Sequence, residues 1–263
     1  MEKIISKDGT PITYQRSGAG DPLVLVHGTG GAAMRWTPIL PALEQRFSVY
    51  AMNRRGRGGS GDSVNYAIER EFEDVAAVVD SIGKPVNLLG HSYGGICSLE
   101  AALLTHNIRK LILYEPPIPV AGVPIYPEGI IARLLSLLDK DDRAGILTTF
   151  QSEVVRMPPH EIELLKTSPA WSARVAAAHT LPRELQAHER YRFTAEHFKQ
   201  LGIPTLLLLG GDSPHFLKAA TDTVHAALPH SRIVTMAGQQ HIAMDTAPDL
   251  FVREVLAFLA EPS

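Results

Sequence analysis

The sequence predicts an α/β fold, a mostly parallel central sheet flanked by helices, with a helical segment inserted between core strands. Three observations predict it. Short apolar runs recur and alternate with stretches of helical spacing. The strand-like runs are apolar at consecutive positions, as expected where both faces of a sheet are covered. The alternation then lapses between about Ile118 and Leu201, where proline-punctuated helical stretches appear without a strand among them.

A chain of 263 residues is long enough for one α/β domain with an insertion and buries a large core without a metal or disulfide. Hydrophobic residues at 45% and charged residues at 20% are ordinary for a globular protein. A net charge of -3 gives no reason to expect nucleic acid or another polyanion. The single cysteine, Cys97, excludes an internal disulfide and a multi-cysteine zinc site. Apolar runs such as Leu206–Leu209 are strand-sized, so no membrane partner is expected. No charged start followed by an apolar run opens the chain, which points to a cytoplasmic location.

In order, short strands are expected at Lys3–Ser6 and Ile12–Arg16 around an Asp8-Gly9 turn. A buried strand, Leu23–Val26, runs into the glycine-rich His27-Gly28-Thr29-Gly30-Gly31, and Phe47–Met52 ends in the loop Asn53–Gly59. Glu71–Ile82 places Phe72, Val75, Val78, Val79 and Ile82 on one helical face. The strand Pro85–Leu89 precedes a helix over Tyr93–Leu104, and the strand Lys110–Tyr114 is closed by Glu115-Pro116-Pro117. After the insertion come the strand Thr205–Leu209, a helix near Leu217–Leu228, the strand Arg232–Met236 and a final helix Leu250–Leu259. The core is therefore assigned to residues 1–117 and 202–263, and the insertion to 118–201.

Gly90-His91-Ser92-Tyr93-Gly94 carries the chemistry. A Gly-x-Ser-x-Gly motif between a strand and a helix is a nucleophile elbow, with the serine on a strained turn and glycines where a Cβ would collide. The helix N-terminus beyond it favours developing negative charge. Ser92 is the expected nucleophile.

With this motif in this setting the chain resembles the α/β-hydrolase superfamily over nearly its whole length, which implies that fold and a catalytic triad. The resemblance places the base at His241, in the loop after the last strand. Its usual acid follows the strand Thr205–Leu209, where the aligned position holds Ser213 and Asp212 lies one residue earlier. Certain relatives carry the acid one strand sooner, at the position of Glu115. Both carboxylates stay open, with Glu115 favoured because two prolines fix its exit from an apolar strand. The family's His-Gly loop corresponds to His27-Gly28, so the oxyanion hole is expected from the Thr29 and Tyr93 amides, with His27 as a tether. The insertion is expected to roof the site as a cap. Of its Tyr126, Phe150, Met157, Trp171 and Tyr191, most should pack the cap and one or two line the pocket.

These parts imply a serine hydrolase acting on a small to medium, uncharged and partly hydrophobic ester, without cofactor or metal. A carboxylesterase is the leading reading. Thioesterase, lactonase, C–C hydrolase and perhydrolase chemistry share the same parts, and the oligomeric state is unspecified. One alternative is a weakly catalytic or non-catalytic ligand-binding protein on the same scaffold. Another is an NADPH-dependent reductase, in which Gly28-Thr29-Gly30-Gly31-Ala32-Ala33 cradles a pyrophosphate and Arg54-Arg55 receives a 2′-phosphate. The Arg54–Arg57 cluster is otherwise expected to make surface or loop hydrogen bonds. His160-Glu161-Ile162-Glu163 lacks the second imidazole of a zinc-binding helix.

Overall fold

The computed structural model describes residues 1–262. The strands are β1 (Glu2–Ile5), β2 (Pro11–Ser17), β3 (Asp21–Val26), β4 (Phe47–Asn53), β5 (Val86–His91), β6 (Ile108–Tyr114), β7 (Thr205–Gly210) and β8 (Ser231–Met236). They form one sheet in the order β1-β2-β4-β3-β5-β6-β7-β8. β1 pairs β2, and β2 pairs β4, antiparallel; every pairing from β4 to β8 is parallel.

Side-chain alternation across the pleat divides the strands between two cores. Val24, Val26, Leu88, Leu111, Leu113 and Leu207 face one layer, whereas Leu23, Leu25, Leu89, Ile112, Leu206 and Leu208 face the other. Both sets are fully buried, which is why these strands read as continuous apolar runs.

The helices of the core are α1 (Leu40–Leu43), α2 (Ile68–Ser81) and α3 (Tyr93–Ala101). The insertion carries α4 (Ile130–Asp139), α5 (Arg143–Thr149), α6 (Pro159–Thr167), α7 (Trp171–Ala177) and α8 (Leu181–Arg190). The chain ends with α9 (His215–Ala227), α10 (Ala243–Thr246) and α11 (Pro248–Ala260). α4 to α8 all lie between β6 and β7. Much of the insertion packs around a core of its own that includes Ile130, Leu134, Ile146, Leu147, Leu181 and Leu185.

The expected elements are present, with small shifts. β5 runs two residues beyond Leu89, because Gly90 and His91 keep pairing with Leu113 and Tyr114. α2 starts at Ile68 rather than Glu71, since Ile68 is itself buried. The short α1 and α10 have too few turns to show helical periodicity in the sequence. No described helix is long and apolar enough to cross a membrane.

Candidate active site

β3, β5, β6, β7 and β8 run parallel, so the loops beyond their carboxyl ends gather along one edge of the sheet. That edge collects His27–Gly31, Ser92, Glu115, Asp212-Ser213 and His241.

Ser92 sits between β5 and α3 with φ 56° and ψ −126°. A side chain in such backbone costs about 1–3 kcal/mol and persists only where the surroundings enforce it. Here the Ser92 N–H donates to the Tyr114 carbonyl at 2.8 Å. A Cβ on Gly94 would lie 2.4 Å from the carbonyl oxygens of both Val26 and His27, and one on Gly90 would lie 2.5 Å from the Gly94 carbonyl. Gly28 is equally constrained, since its Cβ would come within 2.8 Å of the Ser92 Cβ.

His241 Nδ1 lies 2.5 Å from Glu115 Oε2. Glu115 is fully buried, and its Oε1 accepts from the Gly210 N–H at 2.7 Å and from the Ser213 hydroxyl at 2.5 Å. Burying an unpaired carboxylate would be prohibitive; these donors offset the loss of water. Glu115 itself adopts φ 47°, a second strained position. Asp212 is exposed, and its backbone N–H donates to the Gln239 carbonyl. Of the two carboxylates open at the sequence level, the fold brings Glu115 to His241 and leaves Asp212 in solvent.

The loop holding His241 is clamped by residues beside Ser92 and Glu115 in the chain. His91 Nε2 lies 2.9 Å from the His241 carbonyl, placed for an N–H donor, and the two imidazoles are tilted at 42° with centroids 4.6 Å apart. Burial, then the neighbouring His241, push the His91 pKa far down, so that ring is neutral. The Tyr114 hydroxyl donates to the Gln240 carbonyl and accepts from the Ala243 N–H at 3.1 Å.

Thr29 and Tyr93 flank Ser92 in the same cleft, and among the described residues neither backbone N–H has a protein acceptor. His27 braces their loop. Its Nδ1 lies 2.8 Å from the Gly28 carbonyl, and its Nε2 accepts from the Arg54 N–H at 3.2 Å. Burial, reinforced by Arg57 and Arg54, drives the His27 pKa well below its usual value and keeps it neutral.

The arginines after β4 correct the expectation of surface hydrogen bonds. Arg54 and Arg55 are fully buried and bind Glu71 and Asp74 of α2 through paired contacts of 2.6–2.7 Å. Arg57 reaches the insertion, pairing with buried Glu184 and with the Thr180 hydroxyl at 2.5 Å. Carboxylates fixed on α2 and α8 account for the burial. The Arg54 and Arg55 guanidiniums are thus committed within the protein, and neither is free for the 2′-phosphate of the reductase alternative.

A cleft with two lobes opens over Ser92 and His241. One lobe, about 460 Å³, is lined by Arg35, His91, Gln151, Met157, Leu165 and Arg174 beside the glycine loop. The other, about 390 Å³, is apolar, with Ile125, Tyr126, Val154, Leu185, Phe216 and Leu217 on its walls. Phe150 borders both. Trp171 and Tyr191 pack into the cores instead.

Sequence reasoning missed Ser213, His91, Tyr114 and Arg174. Ser213 was in view only as the occupant of an expected acid position. His91 and Tyr114 adjoin candidate residues in the chain, a signal that was available. Arg174 carries none, being a lone arginine on a short helix.

A family model described as the alpha/beta hydrolase family matches residues 23–254. The chain is similar to the crystal structure of an alpha/beta hydrolase from Sphaerobacter thermophilus, at 35% identity and TM-score 0.85, covering 98% of this chain and 100% of that one. It is also similar to the structure of an esterase from a Rhodococcus species, with 25% identity, TM-score 0.81 and coverage of 100% and 99%. A pimeloyl-[acyl-carrier protein] methyl ester esterase of Neisseria meningitidis is 27% identical over 241 residues, 89% of this chain and 90% of that protein. With a family match spanning most of its length, the chain belongs to the alpha/beta hydrolase family.

Proposed function

We propose that the protein is a serine carboxylesterase that cleaves small to medium, partly hydrophobic esters through an acyl-enzyme. The observation that carries this reading is a strained serine, Ser92 at φ 56°, lining one cleft with His241, whose Nδ1 is held 2.5 Å from buried Glu115.

Glu115 fixes the tautomer with the proton on Nδ1, leaving Nε2 to take the Ser92 hydroxyl proton as Oγ attacks the ester carbonyl. The resulting tetrahedral oxyanion is held by the Thr29 and Tyr93 amides, each such donor being worth about 2.7–4 kcal/mol. The protonated imidazole returns its proton to the departing alkoxide, and water activated by the same nitrogen then releases the acid. The helical insertion acts as the cap, its side chains giving the cleft its two unlike lobes.

The test is turnover of p-nitrophenyl butyrate together with labelling by a fluorophosphonate. Burst kinetics and a labelled Ser92 in the wild type, both abolished in Ser92→Ala, are expected. No turnover and no labelling would make this a ligand-binding protein on a hydrolase scaffold.

A further inference from the structure

Arg174, on α7 of the insertion, is 7% exposed and lines the larger lobe of the cleft together with Ser92 and His241. Among the described residues its guanidinium has neither a salt bridge nor a hydrogen bond, and its Nε is buried without a partner. This is unusual within this molecule. The other buried arginines, Arg35, Arg54, Arg55 and Arg57, each hold a carboxylate. A buried guanidinium without an acceptor is expensive, so a fold retains one where a ligand completes it.

The surroundings narrow the ligand. Arg35, on the same lobe, is paired with Asp245, so among the described residues Arg174 is the guanidinium of this lobe left without a carboxylate partner. Gln151 borders the lobe as well; it is buried, and its Oε1 lacks a partner. It sits on a π turn, Phe150–Val154, a widening that recurs at functional sites. Burial and then Arg35 draw the Arg174 pKa down to about 9, which still leaves it charged at neutral pH. Away from Ser92 and His241, the opposite lobe is walled mainly by Ile125, Val154, Leu185, Phe216 and Leu217 and suits a hydrocarbon.

We propose that Arg174 anchors a carboxylate carried by the substrate. The preferred ester is then bipartite: one side of the scissile bond apolar, the other ending in an anion held by a planar fork of N–H donors. This rests on the esterase reading and changes it in one respect, since the substrate is no longer uncharged.

Two matched pairs of esters test it. p-Nitrophenyl hemiglutarate against p-nitrophenyl hexanoate places the anion on the acyl side; p-carboxyphenyl butyrate against p-tolyl butyrate places it on the alcohol side. The wild type is expected to favour the charged member of one pair by about tenfold or more in kcat/KM, as a charge-assisted contact implies. Arg174→Met should abolish that preference, and Arg174→Lys, which keeps the charge, should retain part of it. A wild type that favours the neutral ester in both pairs, or a preference that survives Arg174→Met, overturns the proposal. If no ester is turned over, the esterase reading fails by itself, and calorimetric titration with glutarate decides the anion site. Binding present in the wild type and absent in Arg174→Met supports it, and no binding in the wild type refutes it.

Discussion

The Ser213 hydroxyl donates to Glu115 Oε1 at 2.5 Å, so the residue standing where the family resemblance placed an aspartate serves a carboxylate from the neighbouring strand. β6 and β7 are adjacent in the sheet, and Glu115 N–H donates to Leu208 O at 3.2 Å. The ends of these two strands therefore lie side by side, with Glu115 of one reaching His241 and Ser213 of the other reaching Glu115.

This geometry separates the two acids. Glu115→Gln should lower kcat by about three to four orders of magnitude, because the imidazole loses the group that selects its tautomer. Asp212→Asn should stay within about threefold of the wild type, as expected of an exposed carboxylate away from His241. Steady-state hydrolysis of p-nitrophenyl butyrate reads both, and a larger loss at Asp212 would reverse the assignment.

Ser213→Asp installs the expected residue, but beside a buried carboxylate. Like charges at hydrogen-bonding distance should lower both Tm and activity in the wild-type background. In a Glu115→Gln background the same change restores an anion near His241, and kcat should rise above that of Glu115→Gln alone. Equal rates for the single and double variants would show that the β7 end cannot reach the imidazole.

Stability should depend on pH through His188. Its Nε2 lies 2.8 Å from the Pro117 carbonyl and its Nδ1 lies 2.5 Å from the Tyr126 hydroxyl, and burial draws its pKa down to about 4. In the unfolded chain the value is about 6.5. Between these two the unfolded state holds a proton that the folded state refuses, so stability is complete above the upper value and falls as pH drops through the window. Neutral, buried His27 and His91 act in the same direction. Thermal melts from about pH 7 to about pH 5 should show a declining Tm, with a shallower decline in His188→Gln. An unaltered slope in the variant would exclude His188 as a contributor.

Glu184 joins core and insertion. Burial opposes its charge, but Arg54 and Arg57 hold its carboxyl below the usual range. Glu184→Gln would leave the buried Arg57 guanidinium without a carboxylate, while Arg54 keeps Glu71, a loss of about 3–5 kcal/mol in urea unfolding. Activity should fall too, because the Arg54 backbone N–H donates to His27 of the loop beside Ser92. A change below about 1 kcal/mol would mean that the pair barely outweighs its own desolvation.

The parts of the molecule legible in its sequence are those fixed by local pattern. Consecutive apolar residues such as Leu206–Leu209 mark a strand buried on both faces, and Gly90 and Gly94 mark a turn too crowded for any Cβ. Contacts set by distant partners were not legible. Arg57 meets Glu184, 127 positions away, and reads as a polar loop residue until α8 is packed over it. Arg174 gives no hint in sequence, because what distinguishes it is a missing partner. The choice between Glu115 and Asp212 depended on where two adjacent loops turn, which strand patterns leave undetermined.

Ser92 and Glu115 share a property beyond their chemistry, since both are held in left-handed backbone, at φ 56° and φ 47°. Glycine would relieve that tension at either position, at the loss of a hydroxyl or a carboxylate. A library screened for melting temperature alone would therefore tend to erase these two side chains first. Thermostable descendants of this protein should be selected for retained turnover at every round.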